Sequence, residues 1–136
     1  MSETKYGKYI NRDCYSIPPK PDMIPIYSTR QIAGWGAGNF SIDCGYTTKP
    51  HVLLDKPHSH AFDQYLCFFG TNPDDRKDFG AEVELCLGEE HEKHIINSPT
   101  VVWIAAGLIH GPVEWTKVTK PALFVDIAMT NNYARK

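Results

Sequence analysis

The chain has 136 residues, 42% hydrophobic and 22% charged, and its 14 basic and 16 acidic side chains give a formal net charge of −2. That is the make-up of one soluble globular domain, large enough to fold without disulfides or a structural metal. It offers no basic field for a phosphate backbone, no stretch near the roughly 20 apolar residues that span a bilayer, and no apolar signal core after Met1. Nucleic acid and membrane are therefore not expected partners, and the expected location is the cytoplasm.

Residues 1–30 read as an extended N-terminal arm. Pro18, Pro19, Pro21 and Pro25 stand there among isolated aromatics, which resists both a helix and a central strand. One edge strand or a helical turn is expected, with Ile24, Ile26 and Tyr27 packing on the body or on a partner subunit. Residues 31–130 form the main domain and residues 131–136 a short polar tail.

From Gln31 onward the pattern is short β-like runs with almost no helical periodicity. They cover 39–46, 52–54, 65–69, 81–87, 100–104 and 122–129, separated by turns such as Gly70-Thr-Asn-Pro-Asp-Asp and Ala105-Ala-Gly. Many short strands between Gly and Pro turns predict an all-β barrel or double-sheet sandwich. The polar segment 72–78 reads as a solvated loop, and Gly-Glu-Glu-His91-Glu-Lys-His94 as a charged hairpin turn. Cys14, Cys44, Cys67 and Cys86 form no CxxC pair and read as reduced thiols. A final strand, 123–129, closes the core.

The histidines carry the chemistry. His58 and His60 bracket Ser59, and on a strand such residues point to one face with Cα atoms about 6.6 Å apart. Two imidazoles so placed can converge on one divalent cation at about 2.0–2.1 Å. Gln64 would sit about 13 Å further along a continuous strand, too far to share the ion. It can join only if the chain reverses through Ala61-Phe62-Asp63 and Gln64 opens the neighbouring antiparallel strand. His110 follows the run 100–104 and the turn Ala105-Ala106-Gly107, and so opens a further strand.

The segment Pro57-His-Ser-His-Ala-Phe-Asp-Gln-Tyr-Leu-Cys-Phe-Phe-Gly70 resembles the first motif of the cupin superfamily, an HxH pair followed by Glu or Gln and then Gly. Ala105-Ala-Gly107-Leu-Ile-His110 resembles the second, P-x-G-x-x-H. The resemblance covers about residues 40–128. It implies a cupin jelly-roll β-barrel, or double-stranded β-helix, holding a divalent transition metal through His58, His60, Gln64 and His110, often in a homodimer. Gln64 replaces the more usual Glu, and Ala105 the usual Pro, which only loosens a turn.

Three neutral imidazoles and a neutral amide would leave the ion its full charge and make it a strong Lewis acid. Zn, Fe(II), Mn, Ni and Cu all suit such donors, whereas calcium does not. The preferred reading is a metal-dependent enzyme acting on a small oxygenated metabolite by proton transfer, with a lyase, isomerase or ring-opening outcome. The alternatives are an Fe(II)-dependent dioxygenase and a non-catalytic module that binds a sugar or organic acid. For the acid–base partner, alternation from His110 carries Glu114 inward unless Pro112 disturbs the strand. Glu84 qualifies if its face of the run 81–87 lines the cavity, although carboxylates alternating with apolar residues usually mark a solvent side. Tyr65, Tyr46 and His51 are further candidates.

Overall fold

A computed structural model describes residues 4–13, 18–31, 35–36 and 39–130. Among the described residues nine strands follow one another: β1 (Met23–Ser28), β2 (Ser41–Thr47), β3 (His51–Leu54), β4 (Gln64–Phe69), β5 (Ala81–Leu87), β6 (Glu92–Ile96), β7 (Thr100–Ile104), β8 (His110–Val118) and β9 (Ala122–Ala128). They form a five-stranded sheet in the order β1-β2-β9-β4-β7 and a four-stranded sheet in the order β3-β8-β5-β6. Every pairing is antiparallel. Among the described residues no helix is long and apolar enough to cross a membrane.

The core lies between the sheets because alternation sends one side of each strand inward. Leu66 and Phe68 of β4 meet Val83 and Leu85 of β5, and the rings of Trp115 and Phe124 lie 5.6 and 5.3 Å from that of Phe68. Aromatic pairs at this spacing add about 0.5–1.5 kcal/mol each beyond the area they bury. Gly70 ends β4 where the backbone turns tightly past Asp78. A Cβ there would lie 2.0 Å from the Asp78 carbonyl oxygen, so no side chain fits. Gly70→Ala is expected to cost about 2 kcal/mol through backbone displacement, read as a lower midpoint in urea unfolding; an unchanged midpoint would refute the close approach.

Where one edge strand or a helical turn was expected, the arm has a 3-10 turn at Gly7–Tyr9 and also an edge strand, β1, paired with β2 of its own chain. The charged stretch around His91 and His94 forms the expected hairpin turn, over 88–91 between β5 and β6. The turn there is short, and His94 lies in the exposed strand β6.

One irregularity decides which side chains reach the interior. Between its contacts with Leu87 and Leu85 of β5, strand β8 runs from His110 to Val113, three steps against two. The extra residue is a bulge, and a one-residue slip exchanges the faces of everything after it. His110 and Val113 therefore both point inward, and Glu114 is exposed.

Candidate metal centre

The histidines are assembled by backbone hydrogen bonds between the two motif segments. His58 N–H donates to the His110 carbonyl at 3.0 Å, and His110 N–H returns the bond to His58 at 2.9 Å. Gly107 N–H donates to the His60 carbonyl at 2.8 Å, from a left-handed conformation (φ +84°) that suits glycine. The Leu108 N–H closes that turn on the Ala105 carbonyl at 2.9 Å, so the turn forms without the usual proline. His58 and His60 thus do not lie on a regular strand, as the spacing had suggested. His58 makes an isolated bridge to His110 beside the four-stranded sheet, and the chain then bends through Ala61 and Phe62 into the other sheet. Gln64 does open a strand, but it is β4 of the five-stranded sheet and not a neighbour of the HxH segment.

The three rings meet at centroid separations of 4.6, 4.6 and 5.2 Å, and one ring nitrogen from each lies within 4.8 Å of the others. His60 is 2% exposed and His110 3%. His110 Nδ1 lies 3.0 Å from the Leu108 carbonyl oxygen. A carbonyl only accepts, so Nδ1 carries the hydrogen and Nε2 keeps its lone pair, the arrangement typical of metal-binding imidazoles. Burial pushes the His110 pKa below its ordinary value, and the nearby His60 adds to this against the opposing pull of the Leu108 hydrogen bond. The ring is therefore neutral near pH 7, as a ligand must be.

Gln64 is buried and lines the same cavity as His58 and His110. Its Nε2 donates to Asp126 Oδ1 at 2.7 Å, while Oε1 is buried without a hydrogen-bond partner. An ionised carboxylate can only accept, so it holds the amide with the nitrogen toward Asp126 and leaves the oxygen available. A buried, unpaired carbonyl oxygen costs about 1–3 kcal/mol, which a cation would relieve. The donor set of three imidazoles and one oxygen thus fits a divalent transition metal.

Behind Gln64 lies a charged array. Arg30 Nη1 donates to Asp126 Oδ2 at 3.2 Å and Nη2 lies 3.0 Å from Oδ1, while Nη1 is also 3.5 Å from Asp43 Oδ2. Asp43 and Asp126 are direct cross-strand partners on β2 and β9. Burial raises the Asp43 carboxyl above the usual carboxylate range, and Asp126 adds to this against the lowering effect of Arg30. His58, Gln64, His110, Arg30, Asp43 and Asp126 line one cavity of about 450 Å3, with Leu66, Val113 and Phe124 as apolar wall.

Four of the five acid–base candidates read from the sequence are not in it. Glu84 faces outward and pairs with Lys93 at 3.1 Å, because Val83 and Leu85 take the inner positions of β5. The bulge turns Glu114 to solvent. Tyr65 and Tyr46 fall on the outer face of the five-stranded sheet, opposite in phase to Gln64 and Thr47. His51 does line the cavity, but it pairs with Trp115, five residues beyond His110 on β8, on the order of 15 Å along the strand. It can meet the far end of an elongated ligand and not a group held at the histidines. Sequence reasoning missed Arg30, Asp43 and Asp126. Its one available signal was a lone aspartate inside each of two apolar runs, Ser-Ile-Asp43-Cys-Gly and Phe-Val-Asp126-Ile-Ala, where an unpaired charge is rarely found.

Two antiparallel sheets form a β-barrel whose three clustered histidines, His60 and His110 buried and His58 half-buried, could hold a metal ion. Comparison with solved structures identifies the barrel as a cupin fold. A cupin superfamily protein from Desulfitobacterium hafniense aligns over 84% of this chain and 84% of its own, at 10% identity and a TM-score of 0.53. Oxalate oxidase in complex with the substrate analogue glycolate aligns over 100% of this chain and 66% of its own, at 11% identity and a TM-score of 0.61. Peruvianin-I, a cysteine peptidase from Thevetia peruviana latex, aligns over 98% and 78% at 9% identity and a TM-score of 0.61. The chain spans 59–66% of the length of the oxalate oxidases it matches. No family model and no curated protein matches the sequence. At these identities the likeness concerns the fold, and the chemistry must be argued from the site.

Proposed function

We propose that this chain is a metal-dependent cupin enzyme that moves a proton on a small oxygenated metabolite, with a lyase, isomerase or ring-opening outcome. The observation that carries this reading is the sharing of one cavity by the histidine cluster and the Asp43–Arg30–Asp126 array. His58, His60 and His110, with the Gln64 carbonyl oxygen, would hold Zn, Fe(II), Mn or Ni. Such an ion, with no anionic ligand to offset its charge, supplies Lewis acidity toward a substrate oxygen.

The chain's own residues then divide the work. Asp43, with its raised pKa, accepts or returns the proton, because a carboxyl raised above the usual range is a stronger base than an ordinary one. Arg30 holds Asp43 and Asp126 in place, and Asp126 orients the Gln64 amide. Leu66, Val113 and Phe124 limit the water that could compete for the proton. The small-acid ligand named for the oxalate oxidase neighbour supports hydroxy and keto acids as the first compounds to try.

The test is turnover of a panel of such acids and of sugars in D2O, followed by NMR, on protein purified without a chelating tag. Solvent deuterium should enter the product without oxygen consumption. Asp43→Asn should abolish the exchange while metal content stays the same. Turnover that consumes oxygen and incorporates no deuterium would replace this reading with Fe(II)-dependent dioxygenation.

A further inference from the structure

The cavity changes character along its length, and the strand registers give the order. At one end lie His58, His110 and Gln64, with Asp43 and Asp126 two residues further along their strands. The middle is apolar: Leu54 and its cross-strand partner Val113 on one sheet, Leu66 and Phe124 on the other. The other end is polar again. His51 stands there on β3, and Asp22 and Met23 of the arm are tied beside it, because Met23 pairs with Thr47 and the Thr48 N–H donates to the Asp22 carbonyl at 3.0 Å. His51 Nδ1 lies 3.0 Å from the Lys49 carbonyl oxygen, so in the neutral ring Nδ1 carries the hydrogen and Nε2 keeps its lone pair. That Nε2 is buried without a hydrogen-bond partner, as is Gln64 Oε1 at the opposite end. A buried acceptor left unpaired is unfavourable, and a donor on a ligand would relieve it.

We propose that the substrate is elongated, with an oxygen-bearing head held at the histidines, an aryl or alkyl body along the apolar middle, and a terminal hydroxyl donated to His51 Nε2. For its head alone the proposal rests on the proton-transfer reading. The volume of about 450 Å3 equals about fifteen waters at liquid density and falls among pockets that enclose much larger molecules than glycolate. The two polar ends are on the order of 15 Å apart along β8, further than a two- or three-carbon acid reaches. A hydroxyl suits the far end because it brings a hydrogen to a lone pair. A carboxylate would set its own lone pairs against that of Nε2, and a methyl group would leave Nε2 unpaired. Sites that bind a substrate hydroxyl reject the analogue lacking it far better than apolar pockets tell chain lengths apart. His51 is therefore the residue that sets specificity.

Titration calorimetry of the full chain, carrying the metal it retains on purification, tests this. The ligands are pyruvate and 2-oxo acids that bear a phenyl or a 4-hydroxyphenyl group on linkers of one to three carbons. At the best length the hydroxylated acid should bind about 10-fold tighter than its plain partner, and pyruvate more weakly than both. In the native chain the nitrogen-15 resonance of His51 Nε2 should move with the hydroxylated acid and stay with the plain one. His51→Phe keeps a ring to lie against Trp115, as the imidazole does at 6.3 Å, and should bring the two affinities together. His51→Gln, which keeps an acceptor, should hold part of the preference. Equal affinities in the native chain at every length would overturn the proposal, as would a preference that survives His51→Phe or an unmoved Nε2 resonance. Selective binding without deuterium exchange would support the elongated substrate and refute proton transfer. Exchange on pyruvate, with no gain in affinity from the longer acids, would do the reverse.

Discussion

His110→Ala is expected to weaken divalent metal binding by more than about 100-fold, because loss of an outer-shell partner alone costs 10- to 100-fold and His110 would be a ligand itself. The substitution also removes the Nδ1 hydrogen bond to Leu108. The backbone bridge between His58 and His110 needs no side chain, so the segment should keep its place. The readout is metal content by mass spectrometry together with thermal unfolding. At a free metal concentration about 100 times the dissociation constant, the native chain should gain about 2.7 kcal/mol, and the variant should gain almost nothing. Equal metal content in the two proteins would refute the centre. His58→Ala should behave alike, because its ring stands 4.6 Å from both other imidazoles.

Arg30→Met is expected to destabilise the fold by about 3 kcal/mol near neutral pH, since removing one partner of a buried ion pair leaves uncompensated charge. The Arg30 and Asp126 side chains are 14% and 13% exposed, so water can replace little of what is lost. The pH dependence gives this effect a signature. Burial already places the folded Asp43 pKa above its unfolded value, and Arg30 is the group that opposes the rise. Without the guanidinium the folded pKa climbs further, and the native state binds more protons than the unfolded chain in the window between the two values. Stability then falls as pH rises through the folded pKa, and the deficit shrinks as pH falls and the carboxyl becomes neutral in both states. Urea unfolding at about pH 7 and about pH 5 should show the larger deficit at the higher pH. The same deficit at both would mean that packing, not charge, explains it.

The barrel was legible because its information is local. Alternating runs such as Ala-Glu-Val-Glu-Leu-Cys-Leu between glycine turns encode period-two burial directly, and Val83 and Leu85 took the inner positions accordingly. The three histidines were legible for a related reason: both spacings are short, with GxxH ending on the first residue of β8 and HxH bridging to it. What could not be read was anything set by a one-residue slip or by a distant pairing. The bulge in β8 reversed Glu114, although Pro112 had marked the place where alternation could fail. Arg30 and Asp126 are 96 residues apart and meet only because β1 and β9 both flank β2. Gln64 illustrates the middle case. Its place at the start of a strand was read correctly, but not the sheet to which that strand belongs.

That last point bears on mechanics. His110 opens β8 in one sheet and Gln64 opens β4 in the other, so an ion held by both would be a cross-link between two layers that otherwise touch through side-chain packing. Like a disulfide, such a link removes loop-closure entropy from the open chain, but it can be withdrawn by a chelator. The amides of His58, Gly107 and His110 form the seam where the layers meet this link. Loading the ion should therefore slow their hydrogen exchange more than that of β6, which lies at the far edge of the four-stranded sheet.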